Sequence, residues 1–411
     1  MSRSKKMQLL STFLCICMLL YTTYLPSIAT QPQLLQAVTN TSTTMDTFPF
    51  AAPADSLALS CKSAILMEAS SGAILYEQNA NEALPPASVT KIMTLLLVME
   101  AIDAGILSLT DSITVSATAA SMGGSQVFLE EGESMSCEDM LKSVIISSAN
   151  DAAVALAEHI AGDINTFVQR MNQRAQELGM QHTHFENATG LDDTAQNHLT
   201  SAKDIAIMSR ALIAHEKILS YSSIWMDSIR NGTFGLTNTN RLVRFYKGAT
   251  GLKTGSTEKA GFCVSATAQR DGLSLICVIM GAETRDIRNA QASKLLDWGF
   301  ANYTLYTAPI PKETSIKIIG GEQDYCPTQI CPFSCVIPKG RQHEVTIQTE
   351  IPNEMAAPLQ AGQEIGYQTF RLGDLVIGQT PIIAAQEIPR ISYFTLWKRL
   401  FRCITLKSTT N

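Results

Sequence analysis

The chain has 411 residues, 45% of them apolar and 17% charged, with a formal net charge of -6 and a pI near 5.6. That length exceeds what one compact core usually holds, so two domains are expected after any leader. The acidic balance leaves no basic footprint for nucleic acid, which is not expected as a partner.

Arg3, Lys5 and Lys6 precede an apolar stretch from Leu9 to Leu20, which is followed by Ser27-Ile28-Ala29. A cationic start, a short apolar run and small residues read as a signal peptide over 1–29, with cleavage after Ala29. The competing reading is an uncleaved anchor, whose apolar run is too short to cross a bilayer comfortably. Either way the bulk of the chain is expected outside the cytoplasm. Two of the ten cysteines, Cys15 and Cys17, leave with the leader. Export permits disulfides among the rest, but their irregular spacing assigns no pairs. Cys326, Cys331 and Cys335 cluster without a fourth ligand at finger-like spacing, so a local disulfide or free thiols are expected rather than zinc.

Residues 30–56 are rich in Thr, Gln, Ala and Pro without helical or strand periodicity, and read as a flexible lead-in, with order beginning near Leu57. Ala64 to Met67 and Ala73 to Tyr76 flank Ser70-Ser71-Gly72 as a hairpin. Next come Pro85-Pro86-Ala87-Ser88-Val89-Thr90-Lys91 and the apolar run Ile92, Met93, Leu95, Leu96, Leu97, Val98. The prolines can precede a helix but not sit inside one, so the helix is expected to start near Ser88. Being apolar on every face, it belongs in the centre of a domain. Ser88 and Lys91 then stand one turn apart on one side, at the end where backbone N–H groups lack partners. A serine hydroxyl becomes a nucleophile when a base takes its proton, and a neutral lysine is such a base. At its free pKa of about 10.4, only roughly one lysine in a few thousand is neutral at pH 7, so burial and a second cation must lower it. The spacing alone is a weak signal, since Ser2 and Lys5 in the leader repeat it.

A second constellation, Ser147-Ser148-Ala149-Asn150-Asp151, separates the helical stretches Met140 to Ile146 and Ala152 to Ile160. These residues either cap the second helix or place a hydroxyl and an amide on a rigid turn for proton relay and carbonyl binding. A third is Gly248-Ala249-Thr250-Gly251-Leu252-Lys253-Thr254-Gly255-Ser256, ahead of strand-like runs Phe262 to Ala268 and Leu273 to Met280 joined at Asp271-Gly272. Lys253-Thr254-Gly255 is therefore expected at a sheet edge, where the bare Gly255 lets a ligand approach the backbone; the alternative is an ordinary glycine-rich turn. His159, His182, His184, His198, His215 and His343 contain no His-Glu-x-x-His, and His182 and His184 read as surface residues. No Gly-x-Ser-x-Gly elbow is present, so a serine hydrolase triad finds no support.

From Tyr303 the composition changes to short Ile/Val/Thr runs broken by Gly and Pro, such as Ser315 to Ile319, Val345 to Thr349 and Leu375 to Ile377, which predicts a small β domain over 303–388. In the final segment, 389–411, Tyr393, Phe394, Trp397, Leu400, Phe401 and Ile404 recur at helical spacing opposite Lys398, Arg399 and Arg402. A cationic face opposite an aromatic one fits an amphipathic helix lying on a membrane surface; docking on the β domain is the alternative.

Ser-x-x-Lys, Ser-x-Asn and Lys-Thr-Gly in this order mark penicillin-recognising serine enzymes. From about Ser63 to Phe300, including Ser148-Ala149-Asn150-Asp151-Ala152-Ala153, Gly190-Leu191-Asp192 and Leu295-Leu296-Asp297-Trp298-Gly299-Phe300, the chain resembles the low-molecular-mass penicillin-binding proteins of the D-alanyl-D-alanine carboxypeptidase type. The resemblance implies an α+β fold: a β-lactamase/transpeptidase-like domain over 57–302, with an antiparallel sheet packed between helices, then the β-rich C-terminal domain. It implies that Ser88 attacks the D-Ala-D-Ala carbonyl of peptidoglycan stem peptides with Lys91 as base, and that Ser148 relays the proton to the departing D-alanine. Asn150 would hold the substrate amide, Lys253 would supply positive charge, and Thr254 and Arg288 would hold the terminal carboxylate. Backbone N–H groups of Ser88 and Ser256 would form the oxyanion hole beside Gly255, and water would release the acyl-enzyme. No cofactor is implied, β-lactams would inhibit covalently, and the protein would work at the outer face of the bacterial cytoplasmic membrane or in the cell wall. Ala149 and Ser256 depart from the family's common glycine and histidine, and Arg285 is the alternative to Arg288. A β-lactamase would need a deacylating Glu-x-x-Leu-Asn segment, which is absent; a D,D-endopeptidase stays open, and a non-catalytic wall-binding scaffold would have lost one of the motif residues.

Overall fold

A computed structural model describes residues 48–53, 57–191, 195–310 and 314–406. The expected signal peptide, residues 30–47 of the expected lead-in, and Asp192 lie outside the described residues. Residues 48–53 are packed rather than a lead-in. Phe48 meets Phe50 edge to face at 5.6 Å and Tyr303 at 6.1 Å, and the Ala52 N–H donates to Leu75 O at 2.9 Å. A window average over Thr- and Gln-rich neighbours hides these few apolar residues, so the packed chain starts earlier than Leu57.

The hairpin of β1 (Ser63–Glu68) and β2 (Ile74–Gln78) closes through Glu68, whose carboxylate accepts from the N–H groups of Ser70 and Ser71. A 3-10 turn, Ala87–Thr90, then feeds α1 (Lys91–Asp103), so the regular helix begins three residues after Ser88 and Ser88 itself sits in the tighter turn. Helices α2 (Cys137–Ile146), α3 (Asn150–Ala161) and α4 (Ala202–Ile213) follow. Then come β3 (Ala249–Thr257), β4 (Gly261–Arg270) and β5 (Leu273–Ala282), and α5 (Arg285–Asn302). The five strands form one antiparallel sheet in the order β2-β1-β5-β4-β3. Asp271 and Gly272 both adopt positive φ, 50° and 81°, the geometry that two-residue hairpins require.

Strand alternation sorts the apolar residues onto two faces. Ile65, Met67, Ile276, Val278 and Met280 join the helical core with α1 and α4, while Ala64, Leu66, Leu275, Cys277 and Ile279 pack against Leu295 and Leu296 of α5. The sheet is therefore covered on both sides. Helix α1 is buried almost all round, with Ile92, Met93, Leu95, Leu96 and Val98 inaccessible; at about 1.5–3 kcal/mol for each such side chain, it anchors the domain.

The C-terminal region is β-rich, with strands Thr314–Ile319, Tyr325–Ile330, Val345–Glu350, Glu354–Ala356, Glu364–Leu372 and Leu375–Ala384 in one sheet and a ladder of Tyr303–Thr307 with Ser334–Pro338. Tyr303 and Val336 are buried in the core of the larger domain, so the two share a junction. Cys61, Cys137, Cys263, Cys277, Cys326, Cys331 and Cys335 are free thiols. Helix α6 (Tyr393–Leu406) exposes Tyr393, Phe394, Trp397 and Phe401, while Arg399 donates to Asp324 at 2.8 Å. Among the described residues no helix is long and apolar enough to cross a membrane.

Candidate active site

At the start of α1 the Nζ of Lys91 lies 2.9 Å from Ser88 Oγ and donates to Thr189 O at 2.9 Å. Ser88 is half-buried and Lys91 is inaccessible to solvent. Burial, and then the charge of Lys253, hold the Lys91 pKa well below the usual lysine value. In its neutral form the amine keeps two protons and one lone pair, so it can donate to Thr189 O while accepting from the Ser88 hydroxyl.

Ser148 does not cap α3. It holds φ at +63°, a left-handed conformation that costs a non-glycine residue of order 1 kcal/mol, and its hydroxyl accepts from Lys253 Nζ at 2.8 Å. Asn150 donates through Nδ2 to Gly123 O at 2.6 Å. A carbonyl only accepts, so this contact orients the amide and leaves Oδ1, which is buried and has no partner among the described residues. An unmatched buried acceptor costs about 1–3 kcal/mol, and here it is available to a substrate N–H. Asp151, a residue that the motif reading gave no task, accepts from the N–H groups of Val127 and Leu129 at 3.1 Å each and so fixes the neighbouring loop.

On the other wall, β3 is an edge strand, as expected. Lys253 is buried and also donates to Thr254 O at 2.9 Å, while the Thr254 hydroxyl donates to Thr239 at 2.8 Å. At Gly255 a Cβ would meet Ser88 N at 2.8 Å, Pro86 O at 2.9 Å and Val89 N at 2.9 Å, so the bare backbone admits the Ser88 turn. That close approach places the backbones of Ser88 and Gly255-Ser256 side by side.

Arg288 is buried and Arg285 is exposed. Arg288 donates through Nε and Nη2 to Asn289 Oδ1 at 3.2 and 2.9 Å. Burial, followed by Arg285, lowers its pKa to about 10, so it stays charged at neutral pH. Burial, followed by Arg288, brings Lys253 to about 7. Arg288, Lys253 and Lys91 thus form a series in which each cation lowers the next. The structure brings Ser88, Lys91, Ser148, Asn150, Lys253, Thr254 and Gly255 together, with Ser256 exposed at the rim. Thr189 and Thr239, which also touch this assembly, and His198, which bonds Thr90 beside it, carried no local sequence signal.

Comparison with known proteins gives the site a context. The sequence profile of the D-alanyl-D-alanine carboxypeptidase family matches residues 49–284, and that of the penicillin-binding protein 5 C-terminal domain matches residues 308–390. D-alanyl-D-alanine carboxypeptidase DacF of Bacillus subtilis is 41% identical over 84% of this chain and 90% of its own. Penicillin-binding protein 5 of Haemophilus influenzae superposes with a TM-score of 0.71 at 31% identity, covering 83% of this chain and all of that one. Penicillin-binding protein D2 of Listeria monocytogenes, solved in an ampicillin-bound form, gives a TM-score of 0.55 at 33% identity over 59% of this chain and 99% of its own.

Proposed function

Because the chain belongs to the D-alanyl-D-alanine carboxypeptidase family, we propose that it removes the terminal D-alanine from peptidoglycan stem peptides through an acyl-enzyme on Ser88. The observation that carries this reading is the buried Lys91 amine 2.9 Å from the Ser88 hydroxyl. Lys91 takes the Ser88 proton as Oγ forms a bond to the penultimate D-alanine carbonyl carbon. The resulting oxyanion lies between the Ser88 and Ser256 N–H groups, where fixed dipoles stabilise it without reorganising. As the C–N bond breaks, the departing amine takes that proton from Lys91 through Ser148, which Lys253 orients at 2.8 Å. Asn150 Oδ1 accepts from the substrate amide, and Thr254, Lys253 and Arg288 receive the terminal carboxylate. Water then attacks the ester and regenerates Ser88. A β-lactam enters by the same first step and acylates Ser88.

Incubation with an N-acylated Lys-D-Ala-D-Ala peptide should release free D-alanine, and a labelled penicillin should map to the peptide containing Ser88. Acylation of Ser88→Ala at the wild-type rate would remove Ser88 from the mechanism.

The reading extends to location: a signal peptide over 1–29 exports the chain, and the tail holds it on the membrane surface. Four exposed aromatics on α6 support that attachment. Deleting residues 389–411 should shift the processed protein from the membrane fraction to the soluble one without altering its activity on small peptides; retention on membranes would dismiss the anchor.

A further inference from the structure

We propose that His198, acting through Thr90, is a positioning residue that aims the Ser88 N–H at the oxyanion; this rests on the reading of Ser88 as the nucleophile. His198 is buried. Its Nδ1 accepts from the Glu186 N–H at 2.9 Å. A backbone N–H can only donate, so the imidazole proton of this neutral ring is on Nε2, which donates to Thr90 Oγ1 at 2.8 Å. Thr90 in turn gives its one hydroxyl proton to Ala87 O at 2.8 Å. The relay thus has a direction, from Glu186 through His198 and Thr90 to the carbonyl that precedes Ser88.

That carbonyl and the Ser88 N–H belong to one peptide unit. The bond is trans, so C=O and N–H point in opposite directions, and holding the oxygen inward turns the N–H outward to the cleft. Ala87 needs such support, because it sits at φ +48°. Gly190 closes the other side: at φ +83°, a Cβ there would lie 1.8 Å from Ala87 O and 2.7 Å from Thr90 Oγ1. Chained hydrogen bonds also polarise one another, which strengthens the final N–H as a donor.

The test compares His198→Ala, His198→Gln, Thr90→Val and Thr90→Ser in the full protein. Active sites are titrated with a labelled penicillin mapped to Ser88. Rates are expressed per titrated site. Loss of one oxyanion donor costs about a hundredfold to a thousandfold; misaiming it should cost about tenfold to a hundredfold in kcat for D-alanine release, with KM little changed. Affinity for a peptide boronic acid, whose tetrahedral adduct carries an oxygen in the same place, should fall in parallel. Thr90→Ser and His198→Gln, which keep a donor, should recover most of the rate, and the His198→Ala/Thr90→Val pair should be no worse than Thr90→Val alone. A destabilised protein with unchanged kcat and boronate affinity per site would overturn the proposal, as would additive losses in the pair. If His198→Ala does not fold, the Thr90→Val and Thr90→Ser comparison decides alone. Label that maps away from Ser88 in the wild type would instead overturn the nucleophile, whatever the variants do.

Discussion

β3 and the C-terminal strand Val345–Glu350 are both antiparallel edge strands carrying threonines and charged residues, yet their side chains live in different media. On β3, Lys253, Thr254 and Gly255 are buried beneath the Ser88 turn, whereas in Val345–Glu350 every residue after Val345 is exposed. The difference lies in what covers the edge. A lysine on an open edge is solvated and keeps its ordinary proton, but one covered by helices loses its hydration and becomes a base or a tuned cation. The large core of the first domain makes that cover possible. The C-terminal sheet rests on a small cluster around Ile316, Leu359, Ile365 and Ile382 and has no comparable cover.

The sharpest way to break this comparison is to exchange the buried amine of Lys91. Lys91→Met and Lys91→Arg should each reduce acylation by labelled penicillin by about a thousandfold, within the usual range for a lost general base, since arginine keeps a charge that it cannot release near neutral pH. Lys317→Met, at a half-exposed lysine paired with Glu354 in the β domain, should change neither acylation nor Tm measurably. Near-normal acylation by both Lys91 variants would mean that the buried amine is not the base.

Packing gives the next largest contrast. Leu95→Ala on α1, inaccessible to solvent, should lower stability by about 2–5 kcal/mol in urea unfolding through lost burial and the cavity left behind. Ile347→Ala, on the open edge, should stay within about 0.5 kcal/mol. Similar midpoint shifts for the two would show that the domains are equally well packed.

Carboxylate recognition is a smaller, more specific effect. Charge-assisted hydrogen bonds contribute roughly 1.5–3 kcal/mol each, so Arg288→Ala should lower kcat/KM by about ten- to a hundredfold on a free-acid peptide. The C-terminal amide, already a poor substrate, should change little, and misfolding would reduce both. Equal losses on the two would move the role to Arg285.

The gentlest probe is pH. In the folded protein Lys253 titrates near 7, against about 10.4 when unfolded. Between these values the unfolded chain binds a proton that the native state does not, so stability rises with pH across that window, by at most about 1.4 kcal/mol per unit for this group. Below the folded value both states are protonated and the full cost of burying the charge is present. Lys253→Met should flatten this part of the wild-type profile; an unchanged slope between pH 7 and 10 would show that Lys253 stays charged in the fold.

Local chemistry was legible in the sequence. The one-turn spacing of Ser88 and Lys91, the buried helix after two prolines, the Asp271-Gly272 hairpin and the β-rich C-terminal region all depend on neighbours within a few residues, and backbone geometry is set at that range. What required the tertiary structure were relations between segments far apart in the chain. Sequence could not show that Ser148 is left-handed and bonded to Lys253, because a lysine more than a hundred residues away helps to hold it there. Nor could it show that Gly255 makes room for the Ser88 turn, that Phe48 packs against the core, or that Arg288 is buried while Arg285 is not. The depressed lysines are the clearest case. A pKa reports desolvation and nearby charge, both of which arise only when the helices and the sheet edge close over one another, so the motif named the candidate base while only the fold supplies the burial that lowers its pKa.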